Sequence, residues 1–381
     1  MHDGLVIETA RVSDLGAPER AQWTQMRRAN PLLGSPYFDI RYADVAGEHA
    51  PSANVAVIRR AGEIIGFLPF QRRGGVLQPL AAPITDFHGL IAAPDADLDL
   101  AAIVRSLDGE RMRFSGLIDQ AGGKPGLSMR RAMAADLSEG FEAYEAARPA
   151  NFRKDKRRRR RAFERDHGPL TFSLERPSSA MLDQVIAGKR RQLHRTHQYD
   201  IFACGWTGAL LHSLAQMDAA DFGLRLAVLR AGDVTVAAEL GLVSDDRYHL
   251  WFPIYDPAYA RYSPGSLMTL ETLRIAAEQG ITRVDFGPGE EAYKADFADP
   301  AEATYEGLLH VRPTSAAELR RLPGVGRLSR RFDNVLACEP GLIGRVRGAS
   351  SFVTAMTRRH PRLGATIGLG VGLGLGLALL D

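Results

Sequence analysis

Only two cysteines, Cys204 and Cys338, occur in 381 residues, which excludes a disulfide-framed secreted scaffold and leaves buried free thiols as the plain reading. Charge of one sign is not in large excess either. There are 48 Lys and Arg against 45 Asp and Glu, a net +3, too mild for nucleic-acid binding to be argued from overall charge. The opening stretch MHDGLVIETARVSDL has no basic segment followed by an apolar run and a cleavage site, so the expectation is a protein whose bulk stays on the cytoplasmic side. Neither familiar nucleotide fingerprint is present: no GxGxxG follows a strand with an acidic residue downstream, and GxxxxGK[ST] is missing. His194 and His197 have no third ligand clustered with them, so no metal site is expected.

What is present describes a folded chain of more than one unit. Hydrophobic residues make up 45% and charged residues 24%, an ordinary globular balance, and the length exceeds a usual single core. Apolar β-branched runs at 55–59 and 64–69 flank a turn at Ala61–Gly62 and predict a β-hairpin. Further strands are expected at 6–9, 76–80, 86–91 and 112–117, with a helix at 98–107. Beyond residue 135, helices are expected at 141–148, 151–167, 178–194 and 208–216. A second hairpin, 224–230 and 234–243 around Gly232, is followed by a strand at 247–252 and an amphipathic helix at 267–278. Gly280 closes that helix, and strands at 281–286 and 305–311 follow. GEIIGFLPF in the first half and GDVTVAAELGL in the second share a hairpin habit, which suggests a duplication without a strict period. The expected divisions are 1–135, 136–320, a basic extension at 321–362 and a glycine-rich apolar tail at 363–380.

Two segments carry candidate chemistry. In Arg261-Tyr262-Ser263-Pro264-Gly265-Ser266-Leu267 the turn at Pro264–Gly265 opens a helix that Ser266 could cap. Orphan N–H groups and the helix dipole would then suit a phosphate, with Arg261 adding charge; a simple helix start is the plain alternative. In the second segment, 285–294, Asp285, Tyr293 and Lys294 gather at the carboxyl end of a strand, where α/β proteins commonly place ligands. A solvated turn is the alternative there.

These residues resemble a known family. Residues 236–241, Tyr248-His249-Leu250-Trp251, Asp256-Pro257-Ala258-Tyr259, Arg261-Tyr262-Ser263-Pro264-Gly265 and Asp285-Phe286-Gly287-Pro288-Gly289-Glu290 with Tyr293-Lys294 look like the C-terminal half of the CelD/FemAB-like branch of the GNAT acetyltransferase superfamily. The resemblance extends back through Asn151-Phe152-Arg153 to residues 66–70 and the Asp86–Gly89 turn, covering roughly residues 5–311. It implies an α/β fold of tandem GNAT-like mixed-sheet domains with flanking helices. It further implies an acyl-CoA donor without a metal, and a small-molecule or lipid-linked amine acceptor of cell-envelope or polysaccharide synthesis. Arg261, Gly265 and Ser266 match the position that holds the CoA pyrophosphate, although the usual QxxGxG/A form is missing. Some FemAB-type relatives take aminoacyl-tRNA instead, so that donor stays open, as does a non-catalytic anion- or membrane-binding role.

An attacking amine must lose a proton, and a departing thiolate can take one back. Glu239 lies in a strand whose same face carries the small residues Ala237 and Gly241, which leaves room for a ligand; Asp285 ends the neighbouring strand. Either could be the base, and the plain alternative for Glu239 is a carboxylate paired with an arginine. Tyr293 or Lys294 could assist the leaving group. His249 and Tyr248 point to opposite faces, and Asp86 and His88 could approach the cleft from a DFHG turn. Cys204 lacks an adjacent histidine and carboxylate, so direct transfer is expected.

From Arg153 to Arg161 the run RKDKRRRRR holds eight basic residues in nine. Anionic lipid, nucleic acid or the phosphate of a substrate would suit one face of such a helix. The apolar run LGATIGLGVGLGLGLALL at 363–380, behind Arg358, Arg359 and Arg362, would span about 27 Å as a helix, marginal for a bilayer. Gly364, Gly368, Gly372 and Gly376 would form one smooth face. Attachment to the inner face of a membrane is the expectation this raises.

Overall fold

The computed structural model describes residues 4–73, 76–118, 126–196, 198–217, 219–289 and 291–311, with 335, 338, 339, 341, 343–346 and 348 beyond them. The expected extension and apolar tail therefore lie, apart from those few positions, outside the described residues, as do Glu290 and His197. No helix among the described residues is long and apolar enough to cross a membrane.

The first half opens with strand β1 (Leu5–Ala10), helices α1 (Ala17–Ala29) and α2 (Ile40–His49), and the hairpin β2 (Ala53–Arg60) and β3 (Glu63–Arg73). β4 (Val76–Pro79), the two-residue β5 (His88–Gly89), α3 (Leu100–Ser106), β6 (Arg111–Ile118) and β7 (Leu127–Asp136) follow. The second half contains α4 (Gly140–Ala147), α5 (Ala150–His167), β8 (Leu170–Glu175), α6 (Ser179–Arg195) and α7 (Trp206–Gln216). It continues through β9 (Phe222–Ala231), β10 (Val234–Ser244), β11 (Arg247–Tyr255), α8 (Pro264–Glu278), β12 (Arg283–Pro288) and β13 (Asp299–His310).

These strands form one continuous mixed sheet in the order β1-β2-β3-β4-β6-β13-β7-β12-β11-β10-β9-β8, with β5 alongside β6. Read from each edge inward the order is the same: three antiparallel strands, a fourth strand, then a strand parallel to the fourth reached through a helix. β4 runs parallel to β6 through α3, and β11 runs parallel to β12 through α8. The closing strands are exchanged. β7 leaves the first half to pair antiparallel with β12, and β13 comes back to pair with β6.

Helices cover both faces. Trp23, Tyr42, Leu182, Leu210, Leu214, Leu240 and Trp251 join α1, α2, α6 and α7 in one core. On the other face Tyr144, Leu273 and Ala276 seat α4 and α8 on Tyr248, Leu250, Val284 and Phe286, while α3 packs on the first half through Ile103 and Val104. Burial of this kind is the dominant stabilising term. Phe163, the apolar point of the basic helix α5, is fully buried and stacks on Tyr262 with ring centroids 4.5 Å apart.

Candidate active site

β11 and β12 separate almost as soon as they meet. Their pairing covers Arg247–Arg283, Tyr248–Val284 and His249–Asp285 only, although β11 runs on to Tyr255 and β12 to Pro288. Two local features drive them apart. β11 carries an extra residue, Trp251, where the register against β10 shifts between Leu240 and Gly241. β12 turns at Gly287, whose φ of +76° is open to glycine and strained for other residues. The resulting split is the structural opening of the second half.

Side chains from both halves meet at this split. His249, fully buried on β11, faces Asp86 of the first half, with Nε2 2.9 Å from the carboxylate oxygen Oδ2. Tyr37 and Phe87 pack edge-on against the imidazole, with centroids at 4.9 and 5.6 Å. Gly287 sits against this pair: a Cβ there would stand 3.5 Å from both Asp86 Oδ2 and His249 Cε1. The Nδ1 atom of His249 is buried and has no partner among the described residues.

Glu239 on β10 is 4% exposed and forms no hydrogen bond or ion pair with the described residues. Burial pushes its carboxyl up to about 8, opposed by the charge of Lys189 on α6. Lys189 is itself pushed down by burial and held up by Glu239 and Asp86; its Nζ donates to the Pro253 carbonyl at 3.3 Å. Tyr293 is half-exposed, and desolvation followed by the charges of Glu239, Glu291 and Asp86 raises its hydroxyl to about 12. Glu239, Lys189, Asp86 and Tyr293 therefore share one electrostatic neighbourhood.

Other expected residues are engaged elsewhere. Asp285 is buried and accepts from Arg283 Nε at 2.9 Å; burial raises its carboxyl, against the pull of Arg283 and His249. Lys294 is buried, donating to the Pro288 carbonyl at 3.2 Å and pairing with Glu291 at 2.8 Å, so it ties the 288–294 loop together. The space expected beside Gly241 is filled: a Cβ there would run into the ring of Tyr248, so that glycine admits a neighbouring side chain. His88 accepts from the backbone N–H groups of Ser115 and Gly116 at 3.0 Å each, and burial drives its pKa down to about 3. Among the described residues no group of three His, Cys, Asp or Glu side chains could hold a metal.

The start of α8 also differs from expectation. The helix begins at Pro264, one turn earlier than its apolar stripe, because proline's fixed φ suits the first helical position. Ser266 is therefore inside the first turn rather than a cap. The N-cap is Ser263, in the left-handed region with φ 54°, and its side chain makes no cap bond. The N–H groups of Gly265 and Ser266 have no intrahelical partner, and space around Gly265 is open. Arg261 points away, stacked on Tyr262 at 4.5 Å and bonded to the Tyr262 hydroxyl and Asp166. The cations at the helix start come from α5 instead. Lys156 donates to Ser266 Oγ and Arg159 to Ser263 Oγ, each at 2.9 Å.

Sequence reasoning missed Lys189 and left the Asp86–His249 pair as two separate ordinary residues. A lysine on an amphipathic helix carries no local signal, and the pair is separated by 163 positions. Strand alternation did place His249 opposite Tyr248, which is the one trace of the pair in the sequence.

Residues 150–295 match the family model of the acetyltransferase (GNAT) domain. The chain thus carries a GNAT-fold acetyltransferase domain and is a transferase of that kind, with a mixed sheet flanked by helices. It is similar to the crystal structure of FemX, at 11% identity and a TM-score of 0.52, over 83% of this chain and 99% of that one. It is also similar to a tandem GNAT protein from the clavulanic acid biosynthesis pathway, at 10% identity and a TM-score of 0.50, over 82% and 100%. The L-PGS of Bacillus licheniformis aligns at 13% identity and a TM-score of 0.49, over 80% and 95%. At these identities the likeness to the first two is one of fold. No curated protein matches the chain.

Proposed function

We propose that the protein transfers an acyl or aminoacyl group from a phosphate-bearing carrier to an amine, with both substrates bound together at the β11–β12 split. The observation that carries this reading is a buried, unpaired carboxyl, Glu239, held near neutral pKa beside Lys189, Tyr293 and the Asp86–His249 pair. A group with a pKa near the working pH is suited to general-base work.

In this reading the amine nitrogen attacks the carbonyl carbon of the donor ester or thioester. A C–N bond forms as the C–O or C–S bond to the carrier breaks. Glu239 takes the proton lost by the nitrogen, and the Tyr293 hydroxyl gives one to the leaving atom. Asp86 orients His249, and that pair shapes the wall of the split. Asp285 anchors Arg283 rather than acting as base. Direct transfer is preferred over an acyl-cysteine, because Cys204 is bonded to Ile201 and Thr207 and no histidine contacts it among the described residues. The two halves, 1–135 and 136–320, are read as a tandem pair of GNAT-like domains, consistent with their repeated strand order.

The carrier binds at the α8 N-terminus, through the Gly265 and Ser266 N–H groups with Lys156 and Arg159. We read it as aminoacyl-tRNA. Lys154, Arg157 and Arg161 remain exposed on α5 without an ion pair among the described residues, giving a cationic face larger than one pyrophosphate occupies. An acyl-CoA donor is the second reading, favoured by the match to an acetyltransferase domain. The acceptor is an amine of a cell-envelope, polysaccharide or lipid-linked precursor, met on the cytoplasmic side of a membrane. Direct binding of charged tRNA, acetyl-CoA and a longer acyl-CoA to the full chain decides the donor. Saturable tRNA binding that weakens in Arg157→Glu/Arg161→Glu supports the first reading. Saturable thioester binding without tRNA binding reverses the donor, and a folded chain that binds neither overturns the transfer proposal.

A further inference from the structure

Cys204 and Cys338 are the only cysteines of the chain, and the fold brings them onto one carbonyl group. Cys204 Sγ donates to the Ile201 oxygen at 3.2 Å, and Cys338 Sγ donates to the same oxygen at 3.9 Å. Both are free thiols. Cys204 is half-buried between the exposed residues Ala203 and Gly205, whereas Cys338 is fully buried. Residues this rare have no compositional reason to meet.

Their surroundings give the two sulfurs different roles. Cys204 stands just ahead of α7, whose N-cap is Gly205. A hydrogen bond with Cys338 is the largest influence drawing its pKa down to about 7; burial opposes this, and hydrogen bonds from Thr207 add to it. A good part of this thiol is therefore ionised at neutral pH, and the thiolate is the reactive form. Burial, then the contact with Cys204, pushes Cys338 well above the ordinary value, so it stays protonated. An accessible thiolate beside a buried thiol is the arrangement of an attacking and a resolving cysteine.

The segment that carries Cys338 already touches both halves. Its carbonyl accepts from Trp206 Nε1 at 2.9 Å, and the Tyr199 hydroxyl donates to Glu339 Oε1 at 2.9 Å. Arg73, at the end of β3, donates to the Glu339 carbonyl at 2.7 Å. We propose that Cys204 and Cys338 form a reversible disulfide, a clip that fastens the Cys338–Glu339 segment to the loop ahead of α7 when the chain meets a peroxide. The Cys204 thiolate attacks one peroxide oxygen: an S–O bond forms, the O–O bond breaks, and the departing hydroxide takes a proton from solvent to become water. Cys204 is then a sulfenic acid. The Cys338 sulfur, giving up its proton, attacks the Cys204 sulfur. An S–S bond forms, the S–O bond breaks, and hydroxide leaves with that proton as a second water. Two thiols thus lose two electrons to one hydrogen peroxide, and an external dithiol reverses the bond by exchange.

Treatment of the full chain with stoichiometric hydrogen peroxide, followed by mass-spectrometric peptide mapping without reduction, tests the clip. The expected product is a monomeric chain with a Cys204–Cys338 linked peptide and both titratable thiols gone. Dithiothreitol should restore both, and the oxidised chain should melt several degrees above the reduced one, as a closed long loop does. Alkylation of Cys204 by iodoacetamide in the reduced chain should accelerate as pH rises through about 7. In Cys338→Ser, dimedone should trap a sulfenic acid at Cys204, and peroxide should no longer raise the melting midpoint. Oxidation of Cys204 to sulfinic acid while Cys338 stays free, or disulfides formed only between chains, would overturn the proposal. The map of the wild-type chain decides this even if the variant fails to fold. Neither outcome bears on the transfer reaction.

Discussion

The two halves of the sheet follow one strand order and treat their parallel pair in opposite ways. In the first half β4 and β6 pair only at Val76–Arg111 and Leu77–Met112, and the gap beyond is filled by the chain itself. β5 lies along Leu117 and Ile118, His88 takes up two backbone N–H groups, and a Cβ at Gly116 would strike the Asp86 carbonyl. In the second half the corresponding gap, beyond His249–Asp285, has no such strand among the described residues. The loop that plugs the first gap instead sends the Asp86 side chain into the wall of the second. Their crossover helices differ likewise. Asp99 caps α3 by accepting from the Ala101 N–H at 3.0 Å, whereas Ser263 leaves the start of α8 uncapped under Lys156 and Arg159. In the first half the gap is closed by the chain and the crossover helix is capped; in the second the gap stays open and the start of α8 has no side-chain cap.

This contrast breaks most sharply at Glu239. Glu239→Gln should lower the turnover number about 10²–10⁴-fold, the usual worth of a positioned base, in a steady-state transfer assay. In the wild type, the rate of the chemical step should rise with pH through about 8 and level off above it. An unchanged pH profile in the Gln variant would remove Glu239 from the reaction.

The same residue predicts a stability trend. Its folded pKa is raised, so the stabilising contribution of the neutral carboxyl is fully present below its ordinary value of 4.5 and is lost as pH rises toward and through about 8. The thermal midpoint of the wild type should therefore fall more steeply over that window than that of Glu239→Gln.

At the helix starts, Gly265→Asp should weaken donor binding by roughly tenfold while leaving thermal stability unchanged or slightly higher. A carboxylate repels phosphate there yet suits the helix dipole, and the space is open. The counterpart in the first half, Asp99→Ala, should cost about 1 kcal/mol of stability, as cap losses do, and leave donor affinity alone. Titration of the donor with calorimetric melting of both variants checks the pair; similar behaviour of the two would erase the distinction between the halves.

Much of the local architecture was legible in the sequence. The hairpins around Ala61–Gly62 and Gly232, the stripe of α8 and its closure at Gly280 follow from alternation, 3.6-residue spacing and glycine turns. The apolar stripe alone points to a start of α8 one turn later than the one Pro264 sets. The exchange of β7 and β13 was invisible, since strand partners far apart in the chain leave no periodic mark. The site was partly legible. Glu239 could be singled out as a carboxylate inside a strand with small neighbours on its face, and Tyr293 as a polar group beyond a strand, but whether a carboxyl is buried alone or paired depends on tertiary neighbours. Lys294 and Asp285 looked equivalent to them and prove to be held by Glu291 and Arg283. Gly241 looked like room for a ligand because the neighbour that fills it, Tyr248, reaches across from the adjacent strand.

With β7 pairing with β12 and β13 coming back to pair with β6, each half of the sheet is completed by a strand from the other. During synthesis the edge of β6 must wait for a strand encoded nearly two hundred positions later, and a waiting edge is a template for wrong pairing. Once closed, the two halves cannot separate on dilution, and their one-to-one ratio is set by translation.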